Sequence, residues 1–156
     1  MGYPPSTFGY YFLFVSACYM IGNFTAARLS TRMGTDRMVL LGTGISVMAA
    51  WALGVFYLYD VWGPISLFGS MGIIALGNGV SIPNGIAGAI SVDTRLAGAA
   101  SGISGFTQMA FGASSTMLVG SLLVDTASPL VIIMMIGATI SFAMHIFGVR
   151  LFSAIR

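Results

Sequence analysis

Residues 38–59, MVLLGTGISVMAAWALGVFYLY, run for 22 positions without one charged side chain, between Arg37 and Asp60. A helix rising about 1.5 Å per residue needs about 20 predominantly apolar residues to cross a hydrocarbon layer roughly 30 Å thick. This stretch meets that length. Working outward, the same punctuation recurs: short clusters of charge divide the 156-residue chain into five uncharged runs, each long enough to span.

The composition agrees. The chain is 57% hydrophobic and 6% charged, with a mean hydropathy of +0.96, whereas soluble domains carry about 25% charged residues. A water-soluble fold is excluded on that ground. The basic residues are all arginines and are spread along the chain, unlike a nucleic-acid patch, so no nucleic-acid partner is expected. Cys18 is the only cysteine and lies inside an apolar run, which leaves neither a disulfide framework nor a cysteine metal site.

Helices are expected at about 8–27, 38–59, 65–92, 96–124 and 129–149. Ser6 suits an N-cap for the first; Pro64 suits the first turn of the third, and Ser128-Pro129 restarts the chain for the fifth. Polar backbone groups cannot stay unpaired in lipid, so only helices or a closed barrel can span, and the runs show no period-2 alternation. The expected fold class is therefore all-α integral membrane, with five transmembrane helices forming a single bundle over residues 1–156. Short connections make consecutive helices antiparallel.

Arg28, Arg32 and Arg37 follow the first run, Arg95 the third, and Arg150 and Arg156 the fifth, so all lie on one side. By the positive-inside rule that side is the cytoplasm, with the N-terminus and the Asp60 and Asp125 connections outside. Tyr3, Tyr10, Tyr11, Tyr57, Tyr59 and Trp62 gather at the outer side, as a headgroup belt does. An odd number of spans with an outside N-terminus reads as a piece of a larger transporter. A natural five-span protein is the alternative.

Within the third run, Gly77, Ser81, Asn84, Gly88 and Ser91 share one helical face, flanked by Asn78, and Pro83 is expected to kink the helix. Such a face either lines a wet path or packs against another helix. The fourth run sets Gly98, Gly102, Gly105 and Gly112 beside Ser101, Ser104, Gln108 and Ser115; the glycines suit close helix packing and Gln108 either substrate contact or interhelical bonding. Tyr19 and Asn23 share a face of the first run. The candidate substrate path is Tyr19, Asn23, Asn78, Ser81, Asn84 and Gln108, and the second and fifth runs, bulky all round, are expected to face lipid. His145 is the one titratable side chain inside a span, close enough to Arg150 to be interfacial. Asp36, Asp60, Asp93 and Asp125 all fall in connections, so no carboxylate sits at membrane depth. No nucleophile, acid/base pair or metal cluster points to an enzyme, and no cofactor is expected.

Several segments together resemble the C-terminal half of a major facilitator superfamily transporter, and most closely the bicyclomycin-resistance (Bcr/CflA) branch of multidrug efflux proteins. They are Pro4-Pro5-Ser6-Thr7-Phe8-Gly9, Arg32-Met33-Gly34-Thr35-Asp36-Arg37, Pro83-Asn84-Gly85, and Ala97-Gly98-Ala99-Ala100-Ser101-Gly102 continuing to Gly105, Gln108 and Gly112. The resemblance implies spans eight to twelve of the twelve-helix fold, with the third helix lining a central cavity, the first and fourth meeting the other half, and the second and fifth in lipid. It implies a secondary active transporter exporting small organic compounds by alternating access with proton antiport, in a bacterial inner membrane. The partners implied are the lipid bilayer, an N-terminal half carrying spans one to seven, a small-molecule substrate and protons. Arg28, Arg32, Gly34 and Arg37 resemble a degenerate cytoplasmic gating loop in which Thr31 replaces the usual acid. The other readings are a carrier of another solute, such as a sugar, nucleobase or amino acid, and a non-transporting membrane scaffold.

Overall fold

A computed structural model describes residues 5–91, 94–122 and 126–155. It is all-helical: α1 (Pro5–Met33), α2 (Thr35–Leu58), α3 (Pro64–Ser91), a 3-10 turn (Thr94–Leu96), α4 (Ala97–Leu122) and α5 (Ser128–Ile155). Tyr3, Asp93, Asp125 and Arg156 lie outside the described residues. Four described helices are long and apolar enough to cross a membrane: Thr7–Met33, Thr35–Leu58, Pro64–Ser91 and Ser128–Arg150. The chain is thus a multi-pass membrane protein. Helix α4, expected as a fifth span, has the length but falls short in hydropathy, because Gly, Ser, Thr and Gln108 occupy much of it.

The helix ends differ from expectation on the side that carries the arginines. Arg28 and Arg32 do not form a loop; they extend α1 by nearly two turns, where their charge suits the negative end of the helix dipole. Arg37 lies in the first turn of α2, leaving Gly34 alone as the connection. Its φ of 82° and ψ of 156° belong to a region essentially reserved for glycine, so this one-residue reversal requires Gly at that position. The Arg28 guanidinium lies 4.2 Å above the Phe24 ring, a cation–π contact at the interface.

Helix α3 is the centre of the packing, held between α1 and α2, and α5 covers the far side of α2. Two residues apart on α3, Gly77 and Gly79 point to nearly opposite sides, about 200° apart at 100° per residue. A Cβ on Gly77 would fall 2.5 Å from the Gly42 carbonyl oxygen, and one on Gly79 would fall 3.1 Å from the Gly22 Cα. Backbones therefore meet on both faces, which is the packing mode available in lipid, where tails are as apolar as leucine and close dispersion contact has to drive association.

This arrangement corrects the expectation that the second helix is an outer, lipid-facing one. Gly42, Ser46, Ala49, Ala50, Leu53 and Gly54 are buried along a single stripe of α2, and small side chains let two neighbours approach. Its bulky residues, among them Leu40 and Leu41, are the exposed ones. Near the arginine-bearing end Ala26, Met38 and Val80 from α1, α2 and α3 form one buried cluster. At the opposite end Phe68 is stacked on Tyr11 at 4.7 Å and met edge-on by Phe8 and Phe12.

Helix α5 is fastened to α2 at two levels. The Trp51 indole N–H donates to Thr139 Oγ1 at 3.1 Å, and His145 Nε2 lies 3.0 Å from the Asp36 carbonyl oxygen. His145 is therefore engaged at the arginine-bearing end, beside the first turn of α2.

Candidate functional site

The six residues expected along a substrate path do not converge. Tyr19 and Asn23 lie where α1 crosses α3: the Tyr19 carbonyl and the Asn23 amide both face the Cα of Gly79. Ser81 and Asn84 are buried, at 6% and 4% exposure, as the packed one of the two alternatives for their face requires. The Ser81 backbone fills the α2 contact opposite Gly42, and Asn84 Nδ2 donates 2.8 Å to the carbonyl of Val80, one turn back in its own helix. Pro83 lies inside α3, which continues past it to Ser91. With no N–H of its own it removes the intrahelical partner of the Gly79 carbonyl.

Asn78 is the member of the set that meets a polar neighbourhood. The Ser46 hydroxyl lies 3.3 Å from Asn78 Oδ1, 3.1 Å from the Gly42 carbonyl and 3.3 Å from the Ile74 carbonyl. One hydroxyl proton can serve one of these acceptors at a time. With Thr43 and Ser141 these groups border a crevice of about 250 Å³ between α2, α3 and α5. The sequence reading missed Thr43 and Ser46; their spacing of three on a helix with Gly42 was the available signal.

Gln108 stands apart on α4, exposed along with most of that helix. A Cβ at Gly98, Gly102, Gly105 or Gly112 would meet nothing within 4 Å. The glycine stripe expected to pack closely has no partner among the described residues. Helix α4 thus presents its small and polar residues, Ser101, Ser104, Gln108 and Ser115, on the outside of the packed unit formed by α1, α3, α2 and α5.

A cleft of about 750 Å³ opens between α2 and α3 at the end where Asp60 lies, within the range of sites for drug-sized molecules. Its space comes from small residues: Ala49 and Ala52 on α2, and Gly69 on α3, whose missing Cβ would meet nothing within 4 Å. Phe14, Phe56 and Trp62 supply aromatic walls, and Asp60 and Ser66 the polar rim. Trp62 is itself held by Tyr57, edge to face at 5.2 Å. The connection is set by a Schellman turn ending α2, in which the Val61 N–H donates 2.9 Å to the Phe56 carbonyl and the Asp60 N–H donates 3.3 Å to the Tyr57 carbonyl. Sequence reasoning passed over this cleft, since Asp60 gave no sign beyond marking a loop.

Among known proteins, the bicyclomycin resistance protein homolog of Haemophilus influenzae is 27% identical to the chain over 135 residues, 85% of this chain. The aligned region is 33% of that protein, so the chain spans about a third of the length of the relative. The similarity marks a distant relationship to bicyclomycin resistance proteins. No family model matches the chain, and no solved structure matches it significantly.

Proposed function

We propose that this chain is part of a secondary active transporter that exports small organic compounds, drugs among them, across a bacterial inner membrane by alternating access. The observation that carries the reading is the similarity to a bicyclomycin resistance protein along 85% of the chain. The physical character of the helices supports it. Helices α1, α3, α2 and α5 form a packed unit, while α4 buries none of its described residues and leaves Gly98, Gly102 and Gln108 exposed among its apolar side chains. Lipid offers such a surface nothing, and a further helical segment or a water-filled path would satisfy it.

In this reading α4 faces the rest of the transporter, whose other spans complete the cavity. The N-terminus lies outside and the C-terminus in the cytoplasm. Transport is coupled to proton antiport, with the proton-carrying acid in the other spans, since Asp36 and Asp60 both sit at helix ends. Residues 1–156 act as one membrane unit.

The test is a drug-susceptibility panel in a pump-deficient bacterial strain. The intact reading frame should raise the tolerated concentration of at least one small organic antibiotic, and residues 1–156 alone should raise none. Resistance from residues 1–156 alone, or none from the intact frame over the whole panel, would contradict the proposal.

A further inference from the structure

Asp60 has a φ of 59°, in the left-handed region. It occupies the position of the Schellman turn that glycine usually fills, because a Cβ is disfavoured there. A turn alone would be better served by glycine, so the carboxylate calls for a separate cause. Backbone held in a sparsely populated region at the mouth of a cavity is a reason to look for a ligand.

Three observations say which ligand. Asp60 lines the cleft between α2 and α3 together with the aromatic side chains Phe14, Phe56 and Trp62. Its carboxylate makes no ion pair or side-chain hydrogen bond among the described residues. The described arginines, Arg28, Arg32, Arg37, Arg95 and Arg150, all sit at or near the opposite ends of the helices. Asp60 is consequently the one described charge at its own end of the helices, and it is negative.

We propose that the cleft between α2 and α3 beside Asp60 binds a drug-sized, monovalent organic cation with an apolar body, anchored on Asp60 and Trp62. The carboxylate attracts the cationic centre, the indole face adds a cation–π contact, and the walls around Gly69 take the apolar body. The cleft volume of about 750 Å³ admits such a molecule. This site is separate from the α4 face on which the proposed transport reading turns, and its occupancy is measured without transport.

The probe is tetraphenylphosphonium, titrated into the purified protein in dodecyl maltoside. A Trp51→Phe background leaves Trp62 as the reporter, because the chain has 2 tryptophans. Saturable quenching of Trp62 is expected. Asp60→Asn should weaken binding by up to about fivefold, the scale of one charge contact at a wet rim; asparagine tolerates the left-handed conformation, so the turn survives. Asp60→Gly should weaken binding equally while leaving the fold at least as stable. Gly69→Leu, growing into open space, should abolish binding with the helical spectrum unchanged. Neutral triphenylphosphine oxide should bind at least about tenfold more weakly than the cation. Unchanged affinity in Asp60→Asn and Asp60→Gly, unchanged affinity in Gly69→Leu, or equal binding of the neutral compound would each overturn the proposal. Displacement of the probe by small amounts of phosphatidylethanolamine would also overturn it, by assigning the cleft to a lipid amine.

Discussion

Replacing Gly77 by alanine adds one methyl group where the backbones of α2 and α3 cross in close contact. That methyl would lie 2.5 Å from the Gly42 carbonyl oxygen and 3.1 Å from the Ser46 amide, and against the Ser46 hydroxyl. The Ser46 hydroxyl can rotate away, but the Gly42 carbonyl and the Ser46 amide are backbone of α2 and cannot. Ordinary contact begins near 3.4 Å, so α2 and α3 must separate locally by about 0.9 Å. Overpacking of this kind costs about 1–3 kcal/mol. The displacement also weakens the Ser46 bonds to Asn78 and Ile74, about 0.6 kcal/mol for an interhelical bond in a membrane protein. A net loss of about 1–3 kcal/mol is expected, after alanine's helix preference over glycine is set against these costs. Gly69→Ala, on the same helix, is the matched control: its Cβ meets nothing within 4 Å, and alanine favours a helix over glycine by up to about 1 kcal/mol. Equilibrium unfolding in mixed dodecyl maltoside and dodecyl sulfate micelles should therefore separate the two variants by at least about 2 kcal/mol. A Gly77→Ala protein as stable as wild type, or a pair that unfolds together, would refute the close approach of α2 and α3.

Three more outcomes follow from the packing. In a Cys18→Ala background, single cysteines at Ser101 and Gln108 of α4 should react with maleimide in detergent far faster than cysteines at the buried positions Ala50 and Ser81; equal rates would contradict the outlying place of α4. Reporter fusions after Gly34 should read cytoplasmic and after Asp60 external, and the opposite pair would reverse the orientation drawn from the arginines. Trp51→Phe removes the indole donor to Thr139 and should lower stability by about 0.6 kcal/mol, with no further loss when Thr139→Val is added; additive losses would mean that the two side chains are not coupled.

Charge placement made the spans readable. A run without charge had to be a lipid-crossing or buried helix, and polar residues had to mark its ends. The exact ends were less readable because Arg28 and Arg32 carry long apolar stems that prolong a helix at the interface as readily as they end it. The faces of α2 were misread for a different reason. Val39, Leu40 and Leu41 suggested a helix bulky all round, while the packing follows the smaller residues Gly42, Ser46, Ala49 and Gly54. In lipid it is close approach that decides which side is buried, and hydrophobicity no longer discriminates. The glycines of α4 were recognised as a face, but periodicity cannot say whether the partner lies within the same chain. The cleft beside Asp60 was invisible for a conformational reason: nothing in the letters around Asp60 announces a left-handed residue or the space left by Gly69.

The most direct measurement of the central claim is transport by the intact reading frame in inside-out membrane vesicles, using a radiolabelled compound to which it confers resistance. Acidifying the vesicle interior should drive accumulation of the compound, collapse of the proton gradient should release it, and vesicles carrying residues 1–156 alone should accumulate none. Accumulation that ignores the gradient would remove proton antiport from the account, and the absence of any accumulation by the intact frame would contradict the transporter reading itself.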